Sequence, residues 1–160
     1  MQASLFVVAM PIGNLGDLSQ RAGEVLRTAS LVACEDTRHS GPLLAVVGSQ
    51  ARLVAVHEHN EAEVASRVLD QVAAGHDVAL ISDAGTPLVS DPGFRIVQAA
   101  IERGIRVVPI PGPSAVMAAL SAAGLPTDRF TFAGFLPAKA GERRRELESL
   151  ASLTHTLVLF

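Results

Sequence analysis

The chain has 160 residues, of which 49% are apolar and 18% charged, with a net charge of −3, one cysteine and neither tryptophan nor tyrosine. That length suggests a single domain with room for a sizeable core, and the acidic balance argues against a surface that grips nucleic acid unaided, because neutralising phosphates needs clustered Lys and Arg. Cys34 alone excludes an internal disulfide and, in the apolar run 31–34, reads as a small buried hydrophobe.

The first apolar run, residues 5–9, lacks a preceding basic region and is followed at once by a Pro/Gly loop, so it reads as a strand and not as a signal peptide. The runs 31–34, 53–57, 78–82 and 107–110 read as further buried strands, short and rich in Val, Leu and Ile. No run approaches the roughly 18 apolar residues of a membrane span, and a cytoplasmic location without membrane contact is expected.

Between the strands, residues 61–74 predict a helix whose Val64, Val68, Leu69 and Val72 form one apolar stripe. Asn60 and Glu63 fit a capping box, and Gly75 fits a helix stop. A second helix is expected over 94–103, ending at Gly104, and a third from near Ser114 to Ala123. Strand alternating with helix implies an α/β fold, a mostly parallel sheet with helices on both faces.

Residues 138–148 are polar and charge-balanced, fitting a linker into a solvated helix, and 157–160 open a further strand. The expected division is therefore a domain over 1–137, followed by a linker, helix and first strand of a second domain over 138–160. The chain is read as a portion of a longer protein.

In parallel α/β sheets, ligands bind beyond the carboxyl ends of the strands. Three Gly/Pro-dense loops fall there: 11–17, 82–93 and 109–114. Glycine admits close backbone approach, proline stiffens the loop, and helix N-termini offer free N–H groups. Together they read as a floor for a small, polar, elongated ligand. The phosphate-binding G-x-x-x-x-G-K-[ST], the dinucleotide G-x-G-x-x-G and the hydrolase G-x-S-x-G are all absent.

Glu35-Asp36-Thr37-Arg38-His39-Ser40 follows the second strand. Its acids, guanidinium, imidazole and hydroxyls fit substrate contact, with Arg38 as a fork for phosphate. His57-Glu58-His59-Asn60 follows the third strand. Its H-x-H pair has zinc-ligand spacing, but no further Cys- or His-rich segment accompanies it, so polar contacts or a helix cap are expected and no metal site.

The segments VVAMPIGNLGDLS, ACEDTRHS, HEHNE, ISDAGTPLVSDPG, PIPGPSA, GLPTDRF and GFLP, in that order from Val7 to Pro137, resemble the ribosomal RNA small-subunit methyltransferase I family. The resemblance implies the tetrapyrrole-methylase fold, S-adenosylmethionine as cofactor, and methylation of a cytidine ribose 2′-hydroxyl in small-subunit ribosomal RNA by a homodimer. It implies cofactor contacts from Pro11, Gly13 and Asn14, from Asp83, Gly85, Thr86 and Pro87, and from Pro111, Gly112, Pro113, Ser114 and Ala115. The family often carries a more basic stretch after GFLP than the Ala138-Lys139-Ala140-Gly141 found here.

A ribose hydroxyl needs a proton acceptor to become a good nucleophile, for which Asp36, His39, Glu58 and His59 are the candidates. Arg38 and His39 are expected to contact RNA. Two other readings share the fold: a methylase of tetrapyrrole precursors, and an inactive fragment that only binds cofactor or dimerises. The EDTRHS and SDAGTP segments favour the ribosomal one.

Overall fold

The computed structural model describes residues 2–57 and 59–160, which form two compact units, one up to Ser114 and one from Ala115 onward. The first contains β1 (Ser4–Val8), α1 (Gln20–Thr28), β2 (Leu31–Cys34), α2 (Thr37–Val46), β3 (Arg52–Ala55), α3 (Glu61–Ala73), β4 (Val78–Ile81), α4 (Phe94–Glu102) and β5 (Arg106–Ile110). Its five strands lie in the order β3-β2-β4-β1-β5, and every pairing is parallel. The expected parallel α/β architecture is present, and β2 and β4 are buried along their whole length because both faces are covered.

Alternation along the strands sorts the core. Leu31, Ala33, Val78 and Leu80 pack with Val64, Val68 and Leu69 of α3 and Ile96 and Ala100 of α4. Val32, Cys34, Ala79 and Ile81 face the opposite way, against Ala22 and Leu26 of α1 and Leu44 of α2. Each large side chain fully withdrawn from water contributes about 1.5–3 kcal/mol, so these two layers supply most of the drive to fold. At the amino ends of the strands Asp77 ties the sheet together: its carboxylate accepts the Ser4 N–H at 2.9 Å and its carbonyl accepts the Ser30 N–H at 3.0 Å.

Two local expectations are corrected, on the Asn60 cap and on the bounds of β3, and one helix is added to those expected. The segment after β2 is helical, because Asp36 caps α2 by accepting the Arg38 N–H at 2.8 Å and the helix tolerates Pro42. Asn60 and Glu63 form no capping box. The Asn60 side chain turns back, accepting the His57 N–H at 2.7 Å and donating to the Ala55 carbonyl at 3.1 Å. β3 spans Arg52–Ala55, beginning and ending earlier than residues 53–57.

The second unit contains α5 (Ala115–Ala122), β6 (Phe130–Phe132), α6 (Ala140–Leu150) and β7 (Thr156–Val158). β6 and β7 pair in parallel, and Val158 and Phe132 pack with Val116 and Leu120 of α5. That pairing groups β6 with the segment beyond 138, whereas the sequence placed the division at 137. α6 buries no residue and matches the expected solvated helix. No helix among the described residues is long and apolar enough to cross a membrane.

Candidate functional site

β4, β1 and β5 are neighbours in the sheet, so the three Gly/Pro loops leave it side by side. They are sewn together by hydrogen bonds. Met10 and Gly85 exchange a pair, with the Met10 N–H donating at 2.8 Å and the Gly85 N–H donating at 3.0 Å. The Ala9 N–H donates to the Ile110 carbonyl at 3.2 Å, and the Thr86 hydroxyl donates to the Pro113 carbonyl at 3.1 Å. Gly112 lies so near β1 that a Cβ there would stand 3.0 Å from the Ala9 Cβ. The result is a continuous seam in which Pro11, Gly85 and Pro87 are buried and Gly13, Asn14, Pro111 and Gly112 are exposed. Asn14 serves its own loop, accepting the Gly16 N–H at 2.9 Å.

The other half of this edge is acidic. Glu35 and Asp36 follow β2, Asp83 follows β4, and Asp91 lies in the turn ahead of α4. Asp83 accepts the Asp36 N–H at 3.3 Å, linking the two post-strand loops. Burial raises the proton affinity of Glu35 above the usual carboxylate range, and the nearby charges of Asp83 and Asp91 add to it. Burial likewise raises Asp91, against a hydrogen bond from Ser82. Asp36 behaves in the opposite way. Arg38 grips it with two N–H groups, Nη2 to Oδ2 at 2.7 Å and Nε to Oδ1 at 3.1 Å, and holds its pKa far below the usual value.

Two recesses open among these residues. One of about 470 Å³ lies between Glu35, Asp36, Arg38, His57 and Asp83. A more apolar one of about 270 Å³ is lined by Met10, Leu15, His39, Leu43, Val46 and Asp83. His39 therefore stands beside the first Gly/Pro loop, and Arg38 beside the acidic residues. His59 is exposed, and Glu58 lies outside the described residues. Among the described residues no cluster of three or more His, Cys, Asp or Glu could hold a metal ion. Cys34 is fully buried and burial keeps its thiol protonated, so it is inert.

Glu61, Asp91 and Phe94 also line this edge, and local sequence pattern does not mark them as site residues. Glu61 is 6% exposed, and its Oε1 accepts the N–H of Gly93 at 3.1 Å and of Arg95 at 2.7 Å. A glutamate in the first turn of a helix reads as a surface residue favoured by the helix dipole. Its true partners are 32 and 34 residues away and leave no local signal. For Asp91 the only hint was its place in the long loop after β4.

Residues 4–160 match the family model described as Tetrapyrrole (Corrin/Porphyrin) Methylases. Over 157 residues the chain is 58% identical to "Ribosomal RNA small subunit methyltransferase I" of Pseudomonas aeruginosa, covering 98% of this chain and 56% of that protein. It is 56% identical over 160 residues to the protein of the same name from Mesorhizobium japonicum, covering 100% of this chain and 54% of that one. The chain thus spans about half the length of the curated relatives it matches. Among solved structures, a diphthine synthase superposes with a TM-score of 0.74 over 99% of this chain and 63% of its own, at 20% identity, a likeness of fold. The parallel sheet, the sewn loops at its carboxyl edge and the match over residues 4–160 lead to one conclusion: the chain belongs to the tetrapyrrole (corrin/porphyrin) methylase family.

Proposed function

We propose that this chain supplies the S-adenosylmethionine site of a cytoplasmic, homodimeric methyltransferase that methylates a cytidine ribose 2′-hydroxyl in small-subunit ribosomal RNA. The observation that carries the reading is the hydrogen-bonded seam of three loops beyond β1, β4 and β5. A methylase needs a methyl donor, and the seam suits an elongated, polar, cationic one. Its exposed backbone lies where Gly112 has no room for a side chain, and Asp83 supplies negative charge beside it. The names of the relatives at 56–58% identity support RNA as the acceptor.

S-adenosylmethionine, when bound, offers an electrophilic methyl group on a sulfonium. Pro11, Gly13 and Asn14, then Asp83, Gly85, Thr86 and Pro87, then Pro111 to Ala115, would hold it. The stiff loops do their work by position: they arrest the ligand in one orientation and keep water from the reacting centre. Proton removal from the ribose hydroxyl falls to His39, His59 or Glu58 more readily than to Asp36, whose pairing with Arg38 makes it a weak base. Arg38, exposed and already oriented, is the phosphate anchor, exchanging Asp36 for RNA.

Labelled S-adenosylmethionine should transfer its methyl group to small ribosomal subunits, and digestion should return 2′-O-methylcytidine. The intact parent protein and the 160-residue chain belong side by side in this assay, with cofactor binding followed by calorimetry. Label appearing on a porphyrinogen and not on RNA would overturn the reading.

A further inference from the structure

Apart from the seam of loops, a cleft of about 550 Å³ opens beyond β2 and β3, lined by Glu35, His57, Glu61, Ser90, Asp91 and Phe94. Its most unusual lining residue is Phe94, an aromatic side chain left 65% exposed at the first position of α4. The backbone beneath that ring is held firmly. Glu61 clamps the N–H groups of Gly93 and Arg95, the residues on either side of it. Gly93, at φ +121°, presses so closely on the sheet that a Cβ there would stand 2.9 Å from Leu80 Cδ2. Ser90, in the same turn, also takes a left-handed φ of 65°, a strain that functional loops retain.

An apolar ring over a polar cleft is the arrangement by which proteins stack single-stranded bases. The acidic lining disfavours a phosphate and suits a neutral ring that carries an amino group. We propose that this cleft receives one unpaired cytosine, stacked on Phe94 with its N4 amino group donating to the Glu35 carboxylate. The proposal rests on the RNA-methyltransferase reading and names the part of the acceptor that the cleft takes. A carboxylate only accepts, so it fits the N4 amino group of cytosine and repels the O4 of uracil, whereas an amide can turn to serve either. Ser90 and Asp91 close the cleft on the α4 side, and Glu61, already committed to the backbone, serves as its floor.

The chain contains no tryptophan or tyrosine, so Phe94→Trp introduces a single reporter. A short single-stranded RNA with one central cytosine should quench its fluorescence. The same RNA should leave Ile101→Trp, 66% exposed further along α4, unquenched. Phe94→Ala should weaken binding of that RNA by roughly tenfold, as loss of one stacked base does, with S-adenosylmethionine affinity unchanged. Glu35→Gln should erase the preference for cytosine over uracil at the central position. Unchanged RNA affinity in Phe94→Ala, with no quenching in Phe94→Trp while a labelled strand is bound, overturns the proposal. A preference for cytosine that survives Glu35→Gln overturns the assignment of Glu35. Methyl transfer to small ribosomal subunits decides the parent reading separately. Transfer without quenching removes the cleft alone, and quenching by a cytosine strand without transfer removes the parent reading alone.

Discussion

Glu61, at the start of α3, accepts the backbone N–H of Arg95, in the first turn of α4, at 2.7 Å. One carboxylate oxygen thereby caps a helix 34 residues downstream and fixes the turn that frames the acidic cleft. Because the same oxygen also holds the Gly93 N–H in a buried setting, its loss strands two donors away from water.

Glu61→Ala is therefore expected to destabilise the protein by about 2–4 kcal/mol, the combined effect of lost charge-assisted bonds and unsatisfied N–H groups. Glu61→Gln keeps an acceptor oxygen in place and should cost about 1 kcal/mol. Urea denaturation of the two variants checks the ranking. Equal losses would mean that the charge of Glu61, and not its acceptor oxygen, holds the turn.

Arg38 and Asp36 form an exposed ion pair with the guanidinium facing solvent, 89% exposed. Arg38→Ala should weaken RNA binding and reduce its salt dependence by about one unit of slope, as loss of one phosphate contact does. Affinity for S-adenosylmethionine and the melting temperature should stay as they were. Asp36→Asn keeps the cap on α2, since asparagine also caps, but frees the guanidinium. RNA binding by that variant should tighten. Titrations of labelled RNA at several salt concentrations test both, and equal loss of RNA and cofactor affinity in Arg38→Ala would contradict the role.

The central strands were legible because they are covered on both faces, and continuous apolar runs such as 31–34 and 78–81 admit few other readings. α3 was legible from its stripe, whose Val64, Val68, Leu69 and Val72 are all buried. α2 was not. Its Gly41-Pro42 pair reads as a break, and the Asp36 cap competes with the plainer reading of a charged turn. The three loops were legible as ligand loops, each dense in Gly and Pro. That they are sewn together by Met10, Gly85, Thr86 and Pro113 depends on which strands are neighbours, and strand order is not written in local pattern. The cleft under Phe94 is least legible of all, since Glu35, Glu61 and Phe94 meet only through the fold.

Glu35 predicts a pH effect of definite sign. Its folded pKa is raised by burial and by the charges of Asp83 and Asp91, with His57 acting the other way. A group raised on folding binds more protons in the folded state, so its contribution is complete below its unfolded pKa and is lost as pH rises through the folded value. Glu35→Gln, which cannot ionise, should escape that loss. Its melting temperature should match the parent at about pH 4, near the ordinary glutamate value, and exceed it by roughly 1–3 °C at neutral pH, a gain held small by partial solvent screening. Thermal melts across this range check it, and a gain at low pH that vanishes at neutral pH would reverse the assignment.

Thr86 joins the loop after β4 to the loop after β5 through its hydroxyl, which donates to the Pro113 carbonyl at 3.1 Å. Thr86→Val keeps the shape of the side chain and removes the donor, leaving the Pro113 carbonyl without that partner. One such hydrogen bond contributes about 1 kcal/mol, so stability should fall modestly. Cofactor affinity should fall further than contact loss explains, because two loops held ready would then have to be ordered on binding. Thr86→Ser restores the hydroxyl on a slimmer side chain and should recover most of both. Calorimetry with S-adenosylmethionine on the two variants separates the contributions. If Thr86→Val lowered stability but bound the cofactor as tightly as the parent, the stitch would belong to the fold and the seam would not be the cofactor's floor.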